Sequence, residues 1–241
     1  MTLYEVHSAL ARSLGDPFAE TSLSTIYDGV RYSKQARQGY LYRACCSIIN
    51  EVVSQLAPVP QEQGAEIVSR LFPNMLSRLP VATGLGSDII QEFDLYNPAQ
   101  NVDSLTCAYL LNAYVYNNST VASIPVPIVS SYKARKITSR GARSQMNDPM
   151  IWITHSYKGS TFYSPLSAMR LTFHMGDVDW QNYFLEVQFL RYPLNQALTD
   201  GTAEFDFEQS YMNAVLNKAT LYGMTDGGDL TPEQILPLLA K

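Results

Sequence analysis

After Ser33 the chain repeats apolar residues in pairs every four positions: Tyr40 and Leu41, Ala44 and Cys45, Ile48 and Ile49, Val52 and Val53, then Leu56. That spacing predicts a helix with a wide apolar stripe over about five turns. Arg37, Arg43, Asn50 and Glu51 fall on the opposite face. Ser33 suits the N-cap, where its hydroxyl can accept from a free backbone N–H. Pro58 and Pro60 stop the helix, since proline lacks the N–H that the next turn would use. A one-sided helix of this length needs a partner for its stripe, because packing rather than propensity stabilises most helices.

Shorter helical signals flank it. Leu3, Val6, Leu10 and Leu14 share one face, with Thr2 as cap and Gly15 after the end. Residues 15–32 read as loop, with Asp28-Gly29 as a turn. Gln61–Phe72 reads as a helix with Ile67, Val68, Leu71 and Phe72 inward. Near the C-terminus, Phe207, Tyr211, Ala214, Val215, Ala219 and Tyr222 suit a helix starting near Asp206 and ending at Gly223. Asp206 and Glu208 would lie at its positive end. Thr231-Pro232-Glu233 opens a last short helix.

From Leu79-Pro80 to about residue 200 the helical period gives way to short β-branched and aromatic runs. Expected strands are Asp88–Leu95, Thr106–Tyr116, Thr120–Val126, Met150–Ser156, Thr161–Tyr163, Met169–Met175 and Phe184–Tyr192. Thr106–Tyr116 is nearly continuous in apolar residues and also fits a helix; Tyr109, Val115 and Tyr116 favour a strand. Lys133–Gln145 reads as a short exposed helix.

Helices, then strands, then helices indicate an α+β fold rather than alternating β/α units. The expected architecture is a helical bundle, the long helix packed with the C-terminal one, carrying an inserted antiparallel β-sandwich or barrel-like lobe. The domain reading is residues 1–80 plus 204–224 as the helical domain, 81–203 as the β-rich insertion and 225–241 as a C-terminal extension.

The composition constrains function. Only 16% of the 241 residues are charged, against about 25% in average soluble domains. Such a surface is either rich in neutral polar residues or partly covered by neighbours. The net charge of −5 argues against a general nucleic-acid binder, which needs a basic face. The one basic cluster is Lys133, Arg135, Lys136, Arg140 and Arg143. It is a candidate contact for DNA or an acidic partner, or a solvated helix face. No apolar run approaches the length of a membrane span, and Glu5, His7 and Arg12 interrupt any signal-peptide pattern, so a cytosolic chain is expected.

No constellation for chemistry stands out. Cys45, Cys46 and Cys107 form neither a disulfide framework nor a zinc motif. His7, His155 and His174 lack metal-ligand spacing. A dyad of Cys46 with His155 is conceivable, but Cys46 lies in a helical stripe, where a core thiol is expected. Gly84-Leu85-Gly86 lacks the lysine of a phosphate loop, and Asp177, Asp179 and Glu186 lack calcium-loop spacing. No catalytic residue, metal or cofactor is therefore expected.

Several segments resemble a known family. Leu10-Ala11-Arg12-Ser13-Leu14-Gly15-Asp16, then Tyr32-Ser33, then Tyr40-Leu41-Tyr42-Arg43-Ala44 resemble the opening of tailed-bacteriophage head-to-tail connector proteins. Val187-Gln188-Phe189-Leu190-Arg191-Tyr192-Pro193 looks like their last strand. Phe205-Asp206-Phe207-Glu208 and the helix Tyr211 to Gly223 follow in the same order. Asn147-Asp148-Pro149 also fits, and the order is most similar to the ring proteins of crAss-like podophages. The family often has Asn where Arg43 stands.

The resemblance implies a non-enzymatic virion subunit in the phage neck, assembled in the host bacterial cytoplasm. It would sit in a closed ring of copies of itself, commonly twelve-fold, between the portal and other neck or tail ring proteins. Double-stranded DNA would pass through the channel, and no membrane is involved. Residues 15–32 and 224–241 would reach adjacent rings and order on assembly. Alternative readings are another virion component, a capsid-decorating or tail-tube subunit, or a small hydrolase.

Overall fold

The computed structural model describes residues 1–18, 24–83, 90–94, 107–117, 123–129, 150–155, 169–174, 183–193, 196 and 198–228. It combines helices with antiparallel sheet, an α+β fold. The chain divides into two compact units, residues 1–55 with 193–241 and residues 56–192. The third helix therefore groups with the strands.

The first unit holds α1 (Leu3–Ser13), α2 (Lys34–Gln55) and α4 (Met212–Asp226). Thr2 and Glu5 close a capping box at the start of α1: the Glu5 N–H donates to Thr2 Oγ1 at 3.2 Å, and the Thr2 N–H donates to Glu5 Oε2 at 2.8 Å. The N–H groups of Leu3 and Tyr4, which no helix can satisfy, donate to the carbonyls of Ala203 and Gly201. Ser33 caps α2 as expected, accepting from the Ala36 N–H at 3.1 Å.

The long helix finds its partner in α4, from the far end of the sequence. Lys218 pairs with Glu51. Arg43 lies 3.3 Å from Asp226 and spreads over the Tyr222 ring, 4.5 Å from its centroid. The Arg43–Asp226 pair, half-exposed on both sides, orients the helices but contributes little stability. Leu41, Ala44, Cys45 and Ile49 of α2 and Val215 and Ala219 of α4 are fully buried.

Two expectations about α4 are corrected. Regular α-helix begins at Met212, after a 3-10 turn at Gln209–Tyr211, rather than near Asp206. It also runs through Gly223 to Asp226. Gly223 is no terminator. A Cβ there would meet Leu14 Cδ2 at 2.6 Å and Tyr40 Cδ2 at 3.4 Å, so the missing side chain lets α1 and α2 approach. Its carbonyl accepts from the Tyr32 hydroxyl at 3.1 Å and from the Gly227 N–H at 2.8 Å.

Among its described residues the second unit holds α3 (Gln61–Leu71) and seven strands: β1 (Leu76–Thr83), β2 (Ile90–Asp94), β3 (Cys107–Asn117), β4 (Ser123–Pro125), β5 (Met150–His155), β6 (Met169–His174) and β7 (Tyr183–Arg191). They form a four-stranded sheet, β1-β7-β3-β4, and a three-stranded sheet, β2-β6-β5. The chain leaving β4 runs beside β5, where the Val129 N–H donates to the Ile151 carbonyl and the Ile151 N–H donates to that of Pro127.

β1 was not among the expected strands, and it contains Pro80. It is tolerated because β1 is an edge strand and its register shifts between Pro80 and Ala82. The opposite edge, β4, ends in Pro125. β3 is a strand, and its ambiguity has a cause. Its register against β7 shifts between Leu110 and Asn112, so Leu110 and Leu111 are both buried. Gln61 Nε2 of α3 donates to the carbonyls of both residues. Gly64 gives the Tyr109 hydroxyl room: a Cβ there would lie 2.3 Å from it. Val68 of α3 and Phe72 just after it are buried as expected and Leu71 is half-buried, whereas Ile67 is exposed and Gly64 and Ala65 take its place inward.

The expected strand Thr161–Tyr163 and the helices at Lys133–Gln145 and after Thr231 lie outside the described residues.

Gly223→Ala is expected to destabilise the protein by about 1–3 kcal/mol through overpacking. Gly39→Ala, on the exposed side of α2 with nothing within 4 Å of the added carbon, should stabilise it by about 0.5–1 kcal/mol. Urea denaturation of the two variants checks both signs.

Candidate interaction site

α1 ends in a left-handed turn at Gly15, φ +67°. The Gly15 N–H donates to the Arg12 carbonyl at 3.0 Å, and the Asp16 N–H to that of Ala11 at 2.9 Å. This turn delivers the Asp16 side chain into the interior, where it is 4% exposed. Its Oδ1 accepts from the Val30 N–H at 2.8 Å. Its Oδ2 accepts from Arg31 and Tyr32 at 2.9 and 2.8 Å. Three consecutive backbone donors thus converge on one carboxylate.

Gly29 makes that approach possible, since a Cβ there would lie 2.2 Å from Asp16 Oδ2. Arg37 of α2 braces the loop from beneath. It is fully buried, donates Nη1 to the Tyr32 carbonyl at 2.9 Å and Nη2 to that of Tyr27, and lies over the Phe18 ring. Asp28 Oδ1 accepts from the Lys34 N–H at 2.7 Å.

Burial alone would raise the Asp16 pKa. The three N–H donors and the Arg37 charge outweigh it and hold the carboxyl below its ordinary 3.8. His7 of α1 is fully buried beside this network, its Nε2 2.8 Å from Gln38 Oε1.

The loop carries Val30, 96% exposed, while the other exposed large apolar side chains among the described residues are only 37–39% exposed. Arg31 beside it is also exposed. The arrangement is a held conformation presenting an apolar tip, which suits recognition because little ordering entropy is lost on binding. It does not suit acid–base chemistry, because the Asp16 oxygens and the Arg37 terminal nitrogens are already committed.

The thiols also lack nucleophile character. Burial pushes Cys46 up to about 11, despite an opposing hydrogen bond from Tyr42, and Cys107 up to about 12. Among the described residues, no group of three His, Cys, Asp or Glu side chains could hold a metal ion. No helix there is long and apolar enough to cross a membrane.

The sequence-derived candidates Lys133, Arg135, Lys136, Arg140 and Arg143 lie outside the described residues, as do Gly84-Leu85-Gly86, Asp177 and Asp179. Glu186 is half-buried in β7, paired in register with Pro80 and Tyr114. Within the 15–32 segment, expected to reach an adjacent ring, residues 24–32 are bonded to Asp16 and Arg37 of their own chain. Its anchor was missed because Asp16 and its partners are 14 to 16 positions apart, beyond any local turn pattern. No protein-family model matches the chain, and no curated protein matches it.

Asp16→Asn, which faces an amide nitrogen toward backbone donors, is expected to cost about 2–3 kcal/mol. Because the native carboxyl titrates below its unfolded value, its stabilisation is present above about pH 4 and lost as pH falls further. Denaturation curves from pH 7 to 3 should show the wild type losing stability below pH 4 more steeply than the variant.

Proposed function

We propose that this protein is a structural subunit of a closed ring in the neck of a tailed phage, linking portal to tail and extending the DNA channel. The observation that carries the reading is the pairing of α2 with α4 around a long strand-bearing insertion. The pairing agrees with the helix-strand-helix order that resembles the connector family. We infer with it the finer architecture, a helical bundle bearing an inserted β-sandwich or barrel-like lobe.

A ring closes by a head-to-tail contact, so each subunit offers two different faces. The braced Val30 loop supplies an apolar tip for one of them. The low charge content fits a surface partly covered by neighbours, the portal and adjoining neck or tail rings. A mildly acidic chain fits a channel that lets double-stranded DNA slide rather than gripping it. The basic cluster Lys133, Arg135, Lys136, Arg140 and Arg143 is assigned to contact with that DNA or with an acidic partner. The role requires no catalytic residue, no cofactor and no membrane, and it places the protein in the virion after assembly in the host cytoplasm.

Purified protein mixed with its portal should form ring-shaped complexes by negative-stain microscopy. Val30→Asp should lower ring yield at least several-fold while leaving circular dichroism unchanged. A protein that stays monomeric with portal present would overturn the reading.

A further inference from the structure

His7 lies where the ties between α1, α2 and the 24–32 loop meet. Its ring is fully buried. With the Gln38 amide oxygen against Nε2, that nitrogen carries the proton and Nδ1 the lone pair. Among the described residues Nδ1 has no hydrogen-bond partner, and neither does Nε of the equally buried Arg37. Arg37 is the residue that grips the carbonyls of Tyr27 and Tyr32 at the foot of the loop. A buried imidazole with an unused nitrogen therefore adjoins the cation that fastens the loop.

We propose that His7 is an acid-sensitive latch, whose protonation loosens α1 from α2 and frees the 24–32 loop while the rest of the chain stays folded. Protonation creates an N–H at Nδ1 with no acceptor and a second buried cation near Arg37, and each is costly in a buried site.

The surrounding charges do not compensate. Asp16 is committed to three backbone donors and to Arg37, and Asp28 also acts on Arg37. Glu5 and Arg12 of α1 are exposed. On α4, Lys218 and Asp226 pair with Glu51 and Arg43. In the segment before α4, Asp200 and Glu204 are exposed, Asp206 acts on Cys45 and Glu208 on Tyr211.

Burial, reinforced by the Arg37 charge and only partly offset by the Gln38 hydrogen bond, lowers the His7 pKa from 6.5 to about 4. Between those values the closed form holds a neutral ring and the opened form a protonated one. The latch is therefore closed above pH 6.5 and weakens as pH falls toward 4. With a solvated ring in the opened form, opening should be roughly 30-fold more favourable at about pH 5 than at about pH 7.5. The inference concerns the free subunit and does not depend on what the chain assembles into.

Hydrogen exchange read by mass spectrometry at those two pH values, corrected for intrinsic rates, tests it. Loss of protection confined to α1 and residues 24–32, and abolished in His7→Gln, is the expected result. Uniform loss over α4, β3 and β7 as well, or an unchanged pH response in His7→Gln, would overturn it. Should His7→Gln fail to fold, NMR titration of the assigned His7 imidazole in the wild type decides. A midpoint near 6.5 removes the latch; one near 4 upholds it only together with wild-type loss of protection confined to α1 and residues 24–32 at the lower pH.

Discussion

The helical unit is organised around one buried carboxylate. Asp16 lies in the interior, where an unpaired charge would be prohibitive. It is tolerable because three backbone N–H groups donate to it and the Arg37 charge acts on it. The exchange serves both sides. The loop has no helix or ladder to satisfy its donors, and the carboxylate does so instead. Gly15 aims the side chain, Gly29 makes room for it, and Arg37 ties the same loop to α2. Removing any one of these leaves the others with an uncompensated buried group, so they stand or fall together.

How far such features could be read from residues depends on their range. The Thr2 and Ser33 caps and most of the period of α2 act within one or two turns and were legible, but Arg37, expected on the polar face, is fully buried. Most described strands lie within a few residues of their expected positions, because alternation and turn residues mark them locally. Gly223 was misread because a glycine after a helical run usually means a C-cap. Its real reason, the nearness of Leu14 and Tyr40, involves residues some two hundred positions away. Ile67 was misread because the burial of α3 follows Gly64, which a scale of hydrophobicity cannot weight.

The strand-bearing unit has a similar dependence on one polar side chain. The irregular register of β3 frees carbonyls near Leu110 and Leu111 that a regular ladder would have used. Gln61, at the first position of α3, accepts that role. A helix is thereby fixed to a bulge rather than to a smooth sheet. The bulge also turns two adjacent leucines inward, which is why the run looked helical.

Both outer strands of the larger sheet contain a proline, Pro80 in β1 and Pro125 in β4. Each removes a backbone donor from the margin to which a stray chain would add. In the proposed ring many identical copies would lie side by side, with a standing risk of runaway polymerisation. Blunted margins divert such encounters toward side-chain contacts, which can be specific and reversible where fibre growth is neither.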